Sequence, residues 1–218
     1  MKKIFPIIAI LLLAACNATK STDRLLSDVW TKDQAIRHQM IRLTKAVTTE
    51  GQMELIDSLL WASEEMERID SANMVVVDSL LHNGLPENLS EESYKTIWIV
   101  IDHASLEMQE QYLPLIEQMA SSKLIDIDEY ATLFDRVAMK RNQPQRYGSQ
   151  SVQFGTPEAM QLYIWPVEDP TALDSLRSAV GMPPINEYLN ILTKTTGIEA
   201  KYCPKMRVEE LNKMRNEE

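Results

Sequence analysis

The sequence predicts a mainly α protein, a multi-helical single domain carrying one small β-hairpin. Three observations predict it. Apolar residues recur at three-to-four spacing over long stretches, the six glycines fall between those stretches rather than inside them, and one short region alternates instead.

The first stripe is Leu26, Val29, Asp33, Ile36, Met40, Leu43 and Val47. The second is Ile56, Leu59, Ser63, Met66, Asp70, Asn73, Val77 and Leu80. Gly51 separates the two, and Gly84 with Pro86 ends the second. Ser90 before Glu91 and Glu92 is an N-cap with acids in the first turn. The run Ile97–Ile101 that follows is apolar all round, as in a buried central helix. A strand is the other reading of so short a run, but the cap and the Tyr94/Ile97/Ile101/Ala104 spacing favour helix. Helix continues from Ser105 to Ser121 with a break expected near Pro114. Asp126 and Glu129 have capping-box spacing and open a helix that buries Tyr130, Leu133, Phe134 and Val137.

Tyr147 to Phe154 alternates loosely, and Leu162-Tyr163-Ile164-Trp165 is β-prone. Gly155-Thr156-Pro157 between them is a turn signal, which gives the hairpin. Asp169-Pro170 is expected to cap a further helix. Gly181 with Pro183-Pro184 ends that helix, and Gly197 ends the next. The expected organisation is therefore a leader at 1–15, a tether at 16–23, a helical domain at 24–198 and a charged tail at 199–218 that frays from Lys205.

The leader reading rests on Met1-Lys2-Lys3, the apolar run from Ile4 to Leu13 and Leu13-Ala14-Ala15-Cys16. Ten apolar residues are too few for a transmembrane helix, which needs about 20. A basic head, a short apolar stretch and small residues before a cut describe an export signal. The cysteine after the cut resembles a bacterial lipobox, so Cys16 is the expected lipid-attachment residue and the membrane the expected partner, reached through that lipid. One acyl chain anchors marginally, while two or three hold firmly. No Asp follows Cys16, and no acidic run follows it either. The expected location is the cell envelope, on the outer membrane facing the periplasm in a diderm host.

Composition bounds the rest. Of 218 residues carrying a formal charge of −10, removal of residues 1–15 takes two lysines and no acids, leaving −12 on 203 residues. That is long enough for one domain with a full core. So acidic a chain lacks the basic patches nucleic acid requires, and no nucleic-acid partner is expected. The chain has two cysteines. With Cys16 acylated, Cys203 has no partner for a disulfide and is expected to be buried. His38, His82 and His103 lie far apart and no HExxH occurs, so no metal is assigned. No Gly-rich phosphate loop occurs, and no cofactor is expected.

The stripes place polar residues where apolar ones belong. Asp33 interrupts the first, and Asp70 and Asn73 the second. A carboxylate in such a place needs a partner, because burying one unpaired costs several kcal/mol. Arg37 stands four residues after Asp33, and Arg136 and His103 are further candidates. His103 ends the apolar helix, where it could cap the last carbonyls or serve as a ligand or base. Asp102, its neighbour, points about 100° away along the helix. Gln143 to Gln150 packs amides, a guanidinium, a phenol and a hydroxyl into one loop. Such a loop either binds something or satisfies its own backbone.

Several of these pieces carry a resemblance. They are Asp33-Gln34 with Arg37, Asp70 with Asn73, Trp98 with His103-Ala104, Leu113-Pro114-Leu115 and Asp135-Arg136-Val137. Gln145-Arg146-Tyr147-Gly148-Ser149-Gln150, Pro166-Val167-Glu168-Asp169, Val180-Gly181-Met182-Pro183-Pro184 and Tyr188-Leu189 complete the set. From about Asp28 to Leu192 the chain resembles an uncharacterised bacterial family, a domain of unknown function marked by Gln-x-Tyr-Gly-Ser/Thr-Gln. It departs at Asp102, where Gln is more usual, at Ser149, where Thr is usual, and at Leu176, where an Arg pair is typical. The resemblance implies no activity, but it selects the same polar residues that break the stripes. The expected candidate pocket is Asp33, Arg37, Asp70, Asn73, His103, Arg136, Gln145, Tyr147 and Gln150. Three functions fit it. The first is a module binding a small polar ligand or a protein partner. The second is a hydrolase or lyase using His103 as general acid or base, with Arg136 on an anion. The third is a structural lipoprotein whose polar groups satisfy one another.

Overall fold

The computed structural model describes the backbone of residues 5–48, 50–156 and 159–216, with side chains from residue 19 onward. The side chain of Cys16, and with it the lipid-attachment reading, lies outside the described residues. Among the described residues the chain forms eight α-helices and a three-stranded sheet, so it is mainly α. Helix α1 (Phe5–Thr48) and α2 (Ile56–Leu81) form a hairpin through a 3-10 turn at Met53–Leu55. Next come α3 (Glu91–His103), α4 (Leu106–Ser121) and α5 (Ile127–Lys140). Strands β1 (Ser151–Phe154) and β2 (Gln161–Ile164) are followed by α6 (Leu173–Ala179), α7 (Ile185–Thr196), β3 (Ala200–Lys201) and α8 (Val208–Asn216). No described helix is long and apolar enough to cross a membrane.

The stripes become the core. Leu26 and Val29 of α1 meet Met74 and Val77 of α2 and the all-round apolar α3, with Ile97 and Ile101 fully buried. Ile116 and Met119 of α4 and Leu133 of α5 close the far side. The start of the second stripe is different. Ile56 is exposed, as are Leu60 and Trp61 beside it, because only the C-terminal half of α2 packs on α3.

The caps act as their chemistry dictates. The Ser90 hydroxyl accepts from the Ser93 N–H. Both reciprocal bonds of the Asp126/Glu129 box are present. The expected break at Pro114 is displaced. The chain leaves helix at Ala104, whose backbone is extended, and restarts with Ser105 as N-cap, so α4 runs through Pro114. Asp169 accepts from Thr171 and Ala172, yet α6 begins only at Leu173, after a separate turn.

The hairpin is antiparallel, pairing Ser151 with Ile164 and Phe154 with Gln161. A third strand was not foreseen. Ala200 and Lys201 add parallel to Leu162 and Tyr163. The segment read as a fraying tail is likewise structured, for Val208 and Leu211 of α8 are buried against Trp165. Its charged residues mask a two-residue apolar anchor. Cys203 is half-buried rather than in the core, and it is not in a disulfide.

Candidate functional site

Four of the nine predicted residues meet where α1, α2 and the end of α3 converge. Asp33 and Arg37 are one turn apart on α1, so their side chains share a face. The Arg37 guanidinium sits at the centre. One terminal nitrogen, Nη1, lies 3.0 Å from Asp33 Oδ1 and donates to the Asp33 carbonyl at 3.2 Å. The other, Nη2, donates to Asp70 Oδ1 and Oδ2 at 2.8 and 3.0 Å. Its Nε donates to His103 Nε2 at 3.2 Å. The opposite ring nitrogen, Nδ1, is 3.0 Å from Asp33 Oδ1. The second Asp33 oxygen accepts from Gln34.

These contacts dictate the state of the imidazole. Nε2 accepts from Arg37 only as a lone pair, so the proton is assigned to Nδ1, facing Asp33. Asp33 has a 1 % exposed side chain. It is therefore paired twice, as a buried carboxylate must be. One oxygen or nitrogen each from Asp33, Asp70 and His103 lie within 4.8 Å of one another, a grouping able to hold a metal ion. Arg37 already supplies the positive charge there, donating to all three.

Asp70 and His103 also line a cleft of about 600 Å³ between α2 and the α3–α4 junction. Its other walls include Glu67, Asp78, Met74, Val75, Ser105 and Met108. At its far end the Tyr112 hydroxyl donates to Asp78. Burial, reinforced by that carboxylate, pushes the phenol up to about 12. A cleft of comparable size, about 550 Å³, lies at the start of α3 between Asp23, Trp30 and Lys95. Asp23 there is already engaged by the Ser90 N–H and the Ser93 hydroxyl.

The remaining five predicted residues stand elsewhere. Asn73 is buried on α2, its amide nitrogen without a partner, beside a different groove lined by Asp28, Lys32 and Arg68. Arg136 donates from Nε to Asp102 at 2.8 Å, so Asp102 turns toward α5 while His103 turns toward α1. Gln145, Tyr147 and Gln150 belong to a loop folded on itself. The Gln145 side chain donates to the carbonyls of Gln150 and Trp165 and accepts from the Gln150 N–H. The Gln150 amide donates to the Thr132 carbonyl.

At the heart of that loop is Asp135, a residue sequence reasoning did not place in the site. Its carboxylate accepts from the N–H groups of Arg146, Tyr147 and Ser149 and from the Ser149 hydroxyl. Burial nevertheless raises its pKa above the ordinary carboxylate value, against the pull of those bonds. Arg177 is the other unforeseen residue. Only 1 % exposed, it donates to the carbonyls of Tyr147, Gly148 and Pro183 and lies 4.8 Å from the centre of the Tyr188 ring. Burial pulls its pKa down. Its signal was an arginine on the apolar face of α6, four residues after the buried Leu173. The loop is thus clamped from below by a carboxylate and from above by a guanidinium.

No curated protein and no solved structure matches this chain. A family-wide match does span residues 22–201, covering every residue of the Arg37 cluster and of the clamped loop. The chain therefore belongs to the family of unknown function DUF6624.

Proposed function

We propose that this chain is a lipid-anchored envelope protein whose helical domain binds a small polar ligand in the cleft floored by Asp70 and His103. One observation carries the reading. Polar side chains of α2 and of the α3–α4 junction, Glu67, Asp70, Asp78, His103 and Ser105 among them, line a single open cleft, and two of them, Asp70 and His103, are fixed from behind by Arg37 of α1. Ligand sites are typically concave, mainly apolar and furnished with a few convergent polar groups. Met74, Val75 and Met108 supply the apolar wall. All four cluster residues are also among those in which the chain resembles the family, as is the Gln145–Gln150 loop.

The enzyme reading is weaker on geometry. Both imidazole nitrogens of His103 are engaged, so it acts as a base only after Arg37 withdraws. A purely structural reading accounts for the Gln145–Gln150 loop, but it leaves the cleft beside Asp70 unexplained.

A thermal-shift screen with anionic, neutral and cationic small molecules tests the binding claim. Hits should stabilise the wild-type protein and fail with Val75→Trp, which fills the cleft. No hit of any class, or hits unaffected by Val75→Trp, would refute it. The anchor is tested by mass spectrometry of the purified protein. An acylated cysteine as first residue, lost in Cys16→Ala, is expected. A free thiol at Cys16, or retained Lys2-Lys3, contradicts it.

A further inference from the structure

The shape and charge of the same cleft narrow the ligand class, granting that the cleft is a binding site. We propose that it takes a linear aliphatic polyamine, laid along α2.

Three features converge. The first is charge. The lining holds Glu67, Asp70 and Asp78 and no Lys or Arg; Arg37, behind the lining, is shared between Asp33 and Asp70 and so offsets one carboxylate charge, which leaves the cleft net negative. The second is spacing. Asp70 and Asp78 are eight residues apart on one helix, about 12 Å along its axis at 1.5 Å per residue. Glu67 stands one turn before Asp70, and among the described residues its carboxylate has no hydrogen-bonding partner. The acids therefore form two poles rather than one cluster. The third is what separates the poles. Met74 and Val75 lie between them on α2, with Met108 opposite, and Val75 is 70 % exposed. An exposed valine flanked by thioethers is a poor surface for water and a good one for methylenes.

A molecule with ammonium groups at its ends and an aliphatic chain between them matches this order of polar, apolar and polar. The poles retain acceptor capacity. Asp70 gives Arg37 one contact per oxygen, and a carboxylate oxygen has further lone-pair room. Asp78 receives Tyr112 on Oδ1 only. Arg37 itself shows that the near pole accepts an N–H cation. A diacid would meet carboxylates at both ends, and a neutral chain would leave them uncompensated.

Isothermal titration of the full-length lipoprotein in detergent, with spermidine, 1,8-octanediamine, 1,8-octanediol and suberate, tests the inference. The two amines should bind one per chain, weaken with added salt, and lose at least about tenfold in affinity in Asp78→Asn. That variant should keep its thermal midpoint within a few degrees, since Asp78 is exposed and accepts a single bond. Absence of amine binding overturns the inference, as does equal affinity in Asp78→Asn. Binding of the diol or suberate in preference to the amines, abolished by Val75→Trp, overturns it while leaving the cleft standing as a site. Amine binding unaffected by Val75→Trp overturns both.

Discussion

Arg37 Nε points at His103 Nε2, 3.2 Å away, while the far side of the same ring faces Asp33 at 3.0 Å. With the bonds from Arg37 Nη2 to Asp70 of α2, three helices are joined here, and the pairing of a fully buried carboxylate depends on it. Arg37→Met should therefore cost about 3–5 kcal/mol, the usual penalty for orphaning a buried charge. Urea denaturation of the two proteins measures it, and a loss below about 1 kcal/mol would show that the cluster is not structurally coupled.

The clamped loop is expected to behave as fold rather than as site. Gly148 has φ +64°, and a Cβ there would come within 3.3 Å of Leu173 Cδ1. Gly148→Ala should lower stability by about 1–3 kcal/mol through backbone strain, while the affinity of the folded fraction for a cleft ligand stays at the wild-type value. Calorimetry of unfolding and of binding checks the two halves separately. A binding defect with intact stability would return the loop to the site.

Leu211 is fully buried against Trp165. Leu211→Ala should cost about 2–5 kcal/mol, as expected for a cavity in a packed core. A cost near zero in the denaturation midpoint would mean that α8 contributes nothing to the fold.

The acid limb of stability should depend on Asp23. Bonds from the Ser93 hydroxyl and then the Ser90 N–H hold its carboxyl below the ordinary value. A carboxyl with a depressed folded pKa stabilises above its unfolded value, near pH 4, and that contribution fades as pH falls through the folded value. Asp23→Asn should thus be less stable than wild type at pH 6, with the gap closing below about pH 4. A gap that widens with acidification contradicts this.

The helical architecture was legible because the long helices obey local rules. The stripes of α1 and α2, the Ser90 cap and the Asp126 box depend on neighbours in sequence. What was not legible depends on partners far away. Strand β3 is two residues long and exists only because β2 offers it an edge. Helix α8 announces itself by charge and is held by Val208 and Leu211. For the site, Asp33 and Asp70 stood out as polar breaks in the stripes and Arg37 by its four-residue spacing from Asp33; His103 stood out only as the end of an apolar helix, and Asn73, flagged on the same ground as Asp70, faces a different groove. The donors and acceptors of Gln145–Gln150 looked the same from sequence whether turned outward or inward. Only the position of Asp135 beneath them, on α5, decides for inward. Arg177 escaped notice because nothing in its neighbourhood shows that three carbonyls converge on it.

The central claim is that the cleft, and not the loop, is where this domain meets its ligand. Chemical-shift mapping during titration with the molecule the screen selects tests it most directly. Perturbations concentrated at 67–78 and 103–108, with the His103 ring nitrogens among them, are the predicted result. Perturbations centred on 145–150, with His103 unmoved, would contradict it.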